Sequence, residues 1–264
     1  MRKAHIIFIA SMIFYFFSDE CPVFAADVIR YAVFPAPPYM IGAEDEGSPM
    51  SGIDVDIVKE IAKRGGYELH FIKAPWKRAL ELMRNGDADI LSSAYLTPER
   101  KVFMQYFDRP YLRSLPIAFY YKNDSGVRID KFTDLYKYSE IGVLRGASYF
   151  KRFDTDPEIQ KVEVTTQEQL YPMVLHDRIK LMAGYIPTEN YFIFKYGYQN
   201  VIRRSNYIYN EPSFVYMAIS KKSPLIKNYY RLNSINTLLH NEGLIKKIVN
   251  EYYEKYNPYK SSGK

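Results

Sequence analysis

The sequence predicts an α/β fold, and three observations carry that expectation. Short apolar runs of strand type alternate with amphipathic stretches of helical spacing through the first part of the chain. Glycine and proline punctuate nearly every junction between them. After a second set of strand-like runs, the chain returns to helical spacing at its C-terminal end.

Residues 28–33 alternate loosely and read as a strand. They run into Phe34-Pro35-Ala36-Pro37-Pro38-Tyr39, a loop, because proline fixes φ and lacks an amide hydrogen. Residues 44–51 form a polar turn. Gly52-Ile53-Asp54-Val55 is expected as a short strand. Asp56 then takes the N-cap of a helix with the stripe Ile57, Val58, Ile61 and Ala62, stopped by Gly65-Gly66. Residues 67–73 are the next strand. Pro75 opens a second helix with Trp76, Ala79, Leu80 and Met83 on one face and Gly86 past its end. Residues 89–94 form a short buried strand. This order predicts a mainly parallel sheet with helices on both faces.

The middle of the chain repeats the theme. Strands are expected at 116–121, 140–144, 179–183 and 214–220, a helical turn at 132–135, and a short helix around Leu170, Met173 and Val174. Near the end, Leu225, Tyr229, Leu232, Ile235 and Leu239 share one helical face. Leu244, Ile245, Ile248, Val249 and Tyr252 share another, after the break at Asn241-Glu242-Gly243.

The N-terminus carries an export pattern. Arg2 and Lys3 precede an apolar run over residues 6–17, then the polar Ser18-Asp19-Glu20 and the small-residue site Val23-Phe24-Ala25. A signal peptide over residues 1–25 is expected, leaving 264 − 25 = 239 residues, destined for the periplasm. Cys21, the only cysteine, falls within it, which excludes a disulfide scaffold and a thiolate metal site from the mature chain. The acidic pair before Cys21 is unlike a lipidation site. No later segment is long and apolar enough to span a membrane.

The net charge of +6 is scattered, with no long basic run, so nucleic acid is not an expected partner. There is no phosphate-binding glycine loop, no His-Glu-x-x-His and no Gly-x-Ser-x-Gly. His70, His176 and His240 lie far apart. Asp54 and Asp56, like Asp87 and Asp89, read as strand ends and caps. No metal, cofactor or catalytic residue is expected.

Four stretches, in order, carry a resemblance. Gly52-Ile53-Asp54-Val55-Asp56-Ile57 is followed by Glu60-Ile61-Ala62. Pro75-Trp76-Lys77-Arg78-Ala79-Leu80 leads to Asn85-Gly86-Asp87-Ala88-Asp89. Thr97-Pro98-Glu99-Arg100 precedes Phe107-Asp108-Arg109-Pro110-Tyr111. Ile141-Gly142-Val143-Leu144-Arg145-Gly146-Ala147-Ser148 completes the set. Together they resemble the family 3 bacterial extracellular solute-binding proteins, the polar amino-acid receptors of ABC importers. The resemblance implies the type II two-lobed periplasmic binding fold, α/β in both lobes, with ligand between them. It implies a first lobe from 26–118 and 216–264, a second from 119–215, and crossing strands near 120–123 and 214–220.

For the site, the resemblance implies that Thr97 and Arg100 hold a ligand carboxylate. An arginine fork grips a carboxylate through paired hydrogen bonds. Read without the resemblance, the residues favour Thr97 as only an N-cap and Arg100 as only a surface ion-pair partner. Tyr39 and Trp76 are candidates to stack on the ligand, although Trp76 also shares a face with core residues. Ser92 and Ser93 end a strand and could offer carbonyls or hydroxyls, and Tyr95 stands where the family often has a small hydroxyl residue. Arg145, Ala147 and Ser148 would contribute from the second lobe, with Arg145 equally able to face solvent. The chain departs from the family at Tyr185, which stands where amino-acid receptors carry the aspartate that neutralises the ligand's ammonium. Either the ligand is a carboxylate without an α-amino group, or Glu189 or another acid substitutes. Implied partners are a small carboxylate-bearing molecule and a membrane permease. A sensory receptor is the alternative, and a dehydratase-like enzyme on the same fold is less favoured. A monomer is expected.

Overall fold

The computed structural model describes residues 27–259 apart from 45, 46, 114, 139 and 213. The expected export segment and Cys21 lie outside these residues. Two five-stranded sheets form two lobes.

The first sheet is built from β1 (Asp27–Val33), β2 (Tyr67–Lys73), β3 (Ile90–Tyr95), β4 (Met104–Tyr106) and β10 (Val215–Ser220), in the order β2-β1-β3-β10-β4. β1 runs parallel to β2 and β3, and β10 runs antiparallel to β3 and β4. Ile29, Tyr31 and Val33 point to one face, where α1 (Ile53–Gly65), α7 (Tyr229–Asn241) and α8 (Leu244–Lys255) pack. Ala32 points to the other, against α2 (Trp76–Asn85).

The second sheet comprises β5 (Ile117–Lys122), β6 (Glu140–Leu144), β7 (Gln160–Val164), β8 (Leu181–Tyr185) and β9 (Ile202–Tyr209), in the order β7-β6-β8-β5-β9. Ile117 and Phe119 face a cluster with Phe150 and Phe153. Ala118 and Tyr120 face another with α5 (Leu170–Leu175) and α6 (Ile186–Tyr196). Each sheet is therefore buried on both faces, as the β-α alternation demands.

The crossings differ from the expected positions. Residues 120–122 form the end of β5, within the second sheet, where Tyr120 pairs with both Met182 and Arg204. Residues 215–220 are interior to β10, paired with β3 and β4. The chain passes between lobes after Leu112, which bridges Val215, and returns between Tyr209 and Val215. The register of strand pairing, invisible in one strand's own sequence, sets these points.

Residues 52–55 are not a strand. Gly52, at φ +124°, precedes the first turn of α1. A Cβ there would sit 2.3 Å from the Tyr39 carbonyl oxygen, so the close approach requires glycine. Ile53 N–H donates to the Pro38 carbonyl (3.1 Å) and Asp54 N–H to the Tyr39 carbonyl (3.0 Å). The proline loop thus satisfies the orphan donors of α1, and no side-chain cap is used. Asp56 instead accepts from Tyr252 OH at 2.7 Å. The strand expected at 179–183 is shifted to β8, and β4, β7, β9, α6 and the short helix α4 (Lys151–Thr155) are additional elements.

The lobes also meet at the C-terminal end of the chain. Tyr256, just past α8, packs edge-on against Tyr191 of α6, with ring centroids 4.8 Å apart. Tyr259 OH reaches the Ile202 carbonyl of β9.

Candidate functional site

The candidate residues gather at the carboxyl ends of the strands, where open α/β sheets bind ligands. β3 ends at Tyr95. Three residues on, the short helix α3 (Pro98–Lys101) begins behind Thr97 as its N-cap. Thr97 Oγ1 accepts the Arg100 backbone N–H at 3.2 Å. The Arg100 side chain turns back over the strand end. Its Nη1 donates to the Tyr95 carbonyl (3.2 Å), which also accepts from Tyr106 OH (3.0 Å). Its guanidinium carbon lies 5.0 Å from the centre of the Trp76 indole, which sits edge-on to Phe34 at 4.8 Å. Arg100 makes no ion pair with a carboxylate among the described residues.

The second lobe offers Tyr185 and the turn after β6. Tyr185 precedes α6, and its hydroxyl donates to the Ser148 carbonyl. Its ring stacks on Tyr149 with centroids 5.6 Å apart. The Tyr95 phenol from the first lobe is close enough to Tyr185 to act on its ionisation. Burial, then the neighbouring Tyr95, pushes the Tyr185 phenol well above its ordinary pKa, so it stays neutral. Ser148 Oγ donates to Asp154 (3.1 Å), and Ala147 N–H closes a turn onto the Leu144 carbonyl (3.1 Å).

Tyr95, Thr97, Arg100 and Trp76 thus stand together in the first lobe, and Ser148 and Tyr185 meet them through Tyr95. Other candidates lie apart. Tyr39 is 5% exposed, and its hydroxyl bonds Tyr253 of α8 at 3.0 Å, so its ring belongs to the first lobe's core. Ser92 is buried with its hydroxyl on Tyr31. Arg145 is exposed and pairs with Glu163 at 3.2 Å. Glu189 does not present its carboxylate where the two lobes meet. It is fully buried, with Oε1 accepting from Gln167 Nε2 (2.6 Å) and Oε2 from Tyr171 OH (2.5 Å). Burial pushes its pKa up to about 8.

Sequence reasoning passed over the support beneath the strand end. Ser93 adopts φ +54°, unusual for a non-glycine residue. Its hydroxyl donates to Asp54 (2.7 Å) and its N–H to Tyr111 OH (2.9 Å), which in turn donates to Asp54 (2.7 Å). Burial raises the Asp54 carboxyl to about 6. Asp54 lies in the first motif of the chain, but only its contacts with residues 39 and 57 positions away reveal what it holds.

Two α/β lobes joined by paired crossings, with polar and aromatic side chains gathered at strand ends on both sides of the junction, define a two-lobed binding protein. The profile of the bacterial extracellular solute-binding proteins, family 3, matches residues 29–255, and the chain belongs to that family. A probable histidine-binding protein of Neisseria gonorrhoeae is 29% identical over 130 residues, 46% of this chain and 47% of that protein. The match therefore spans about half the length of that relative. Among solved structures, a mutant of the Thermotoga maritima ArgBP superposes with a TM-score of 0.68 at 20% identity, covering 86% of this chain and 95% of the other. The substrate-binding protein of an amino acid ABC transporter superposes at 0.66 with 20% identity, covering 86% and 99%. At such identities these structures establish the fold alone. It is the type II two-lobed periplasmic binding fold.

Proposed function

We propose that this protein captures a small carboxylate-bearing ligand, an amino acid or related organic acid, and delivers it to the permease of an ABC importer by closure of its two lobes. The observation that carries this reading is Arg100. Its guanidinium is pinned by the Tyr95 carbonyl and the Trp76 ring where the lobes meet, and it has no carboxylate partner among the described residues. A planar cation so placed suits a carboxylate from solution. The free hydroxyl valence of Thr97 adds a second polar contact. The names of the relatives, which refer to histidine and to amino-acid transport, agree with a ligand of this class. Closure would convert occupancy into a shape the permease recognises.

On the second lobe, Tyr185, Tyr149 and the Ser148 carbonyl line the approach. Asp154, an acid beside this wall, is engaged by Ser148 Oγ and the Tyr149 N–H. This wall favours a ligand whose other end is neutral or hydrogen-bonding over one needing a dedicated counter-charge. Binding without turnover is the reading the family name and the relatives' names favour. The family's extracellular character and the export pattern at residues 1–25 both support a periplasmic location. No helix among the described residues is long and apolar enough to cross a membrane.

The test is a thermal-shift screen of the mature chain against amino acids, organic acids and short peptides. Ligands that bind only the native state raise its melting temperature. A carboxylate hit is expected, and Arg100→Ala should abolish its shift. A best hit that is an uncharged sugar, or a shift unaltered in Arg100→Ala, refutes the proposal.

A further inference from the structure

We infer that Trp76 is a positioning residue for Arg100, its indole holding the guanidinium in place, and is not a stacking surface for the ligand. The inference rests on Arg100 being the carboxylate anchor. One contact holds the backbone of Arg100 and two restrain its side chain. The backbone N–H of Arg100 is tied to Thr97 Oγ1 at 3.2 Å. Nη1 is tied to the Tyr95 carbonyl at 3.2 Å. The guanidinium carbon lies 5.0 Å from the indole centre, within the range where an aromatic face attracts a cation.

The indole is itself restrained. Trp76 is the first residue of α2, directly after the extended Pro75. Its ring is edge-on to Phe34 at 4.8 Å and partly buried against the cluster of Ala79, Leu82 and Met83. An immobile ring can therefore transmit its position to a long, flexible arginine. An unrestrained arginine loses rotamer freedom on binding, and that loss weakens affinity. Here the loss is already incurred in the folded protein, while the remaining guanidinium N–H groups are left for a ligand. The indole face engaged by the cation is withdrawn from stacking.

The first readout needs no ligand. In 15N spectra of the mature chain, the Arg100 Nε–H signal, assigned with Arg100→Lys, should show a ring-current shift and a high order parameter. Trp76→Leu should abolish both, and Trp76→Phe should retain most of each. Trp76 is the only tryptophan in the sequence, so Arg100→Ala should also change the tryptophan emission. An Arg100 Nε–H order parameter that is unchanged in Trp76→Leu, or emission that is unchanged in Arg100→Ala, overturns the inference.

The second readout uses calorimetric titration with L-histidine, L-arginine and acetate. Every probe that the wild type binds should weaken by the same factor, about tenfold, in Trp76→Leu, and by much less in Trp76→Phe. The loss should vanish in an Arg100→Lys background. A loss that grows with the bulk of the probe's side chain and persists in that background identifies a ligand-stacking surface and overturns the inference. If Arg100→Ala binds these probes like the wild type while the spectra behave as expected, the carboxylate reading fails and the Trp76–Arg100 restraint stands. Melting of each variant without ligand separates loss of fold from loss of positioning.

Discussion

Replacing Glu189 with glutamine removes a proton-binding group from the interior of the second lobe. Glu189 is fully buried, so its charged form is penalised and its pKa rises from 4.5 to about 8. The folded state then holds a proton that the unfolded chain releases near pH 4.5. Stability from this group is complete below pH 4.5 and declines as pH rises to about 8. The difference, 8 − 4.5 = 3.5 units, corresponds to about 5 kcal/mol above pH 8 and about 3 kcal/mol at pH 7, at about 1.4 kcal/mol per unit. Glutamine stays neutral and can still bond Gln167 and Tyr171. Scanning calorimetry between pH 5 and pH 9 should therefore show the wild type losing melting temperature with rising pH, and Glu189→Gln losing less. The gap should reach on the order of 10 °C at pH 9. Equal pH slopes in the two proteins would refute the assignment of a buried, protonated Glu189.

Other expectations follow from close packing and pairing. Gly184→Ala would place a Cβ 2.2 Å from Glu189 Oε1 and should cost about 1–3 kcal/mol in denaturant titrations. Gly52→Ala would meet the Tyr39 carbonyl at a left-handed φ and should be more damaging, by about 3 kcal/mol or more, read by the same titration. Asp89→Ala breaks the ion pair with Arg30 (2.6 Å) and the bond from Ser223, and should cost about 3 kcal/mol by chemical denaturation. The emission of Trp76 should change when a carboxylate ligand occupies Arg100, in a fluorescence titration that fails in Arg100→Ala.

Much of the first lobe was legible because its signals are local. The stripe of α1, the proline start of α2 and the glycines that end both helices lie within a turn of what they determine. The second lobe was harder. In β9 only Ile202 and Ser205 are buried, and Arg203 and Arg204 interrupt any alternation, as suits an edge strand. α6 carries Tyr191, Phe192, Ile193 and Phe194 in succession, which gives no helical stripe. At the site, Thr97 and Arg100 were singled out through the family resemblance, and they sit a few residues beyond the end of β3. The core place of Tyr39 was not legible, because its partner Tyr253 is 214 positions away. Trp76 was ambiguous between core and ligand in the sequence, and its contact with Arg100 introduces a third role.

Leu112 and Val215 are bridge partners, yet the entire second sheet lies between them in sequence. The second lobe is thus an insertion whose two ends meet. Its strands, from Ile117 to Tyr209, can find one another within one contiguous stretch of chain. β3 of the first sheet must wait for β10, with Tyr95 pairing to Val215 across 215 − 95 = 120 positions. Loop closure of that length slows pairing. With the insertion folded, its two ends already lie side by side at the Leu112–Val215 bridge, so the loop that separates β3 from β10 is effectively far shorter than its length in sequence.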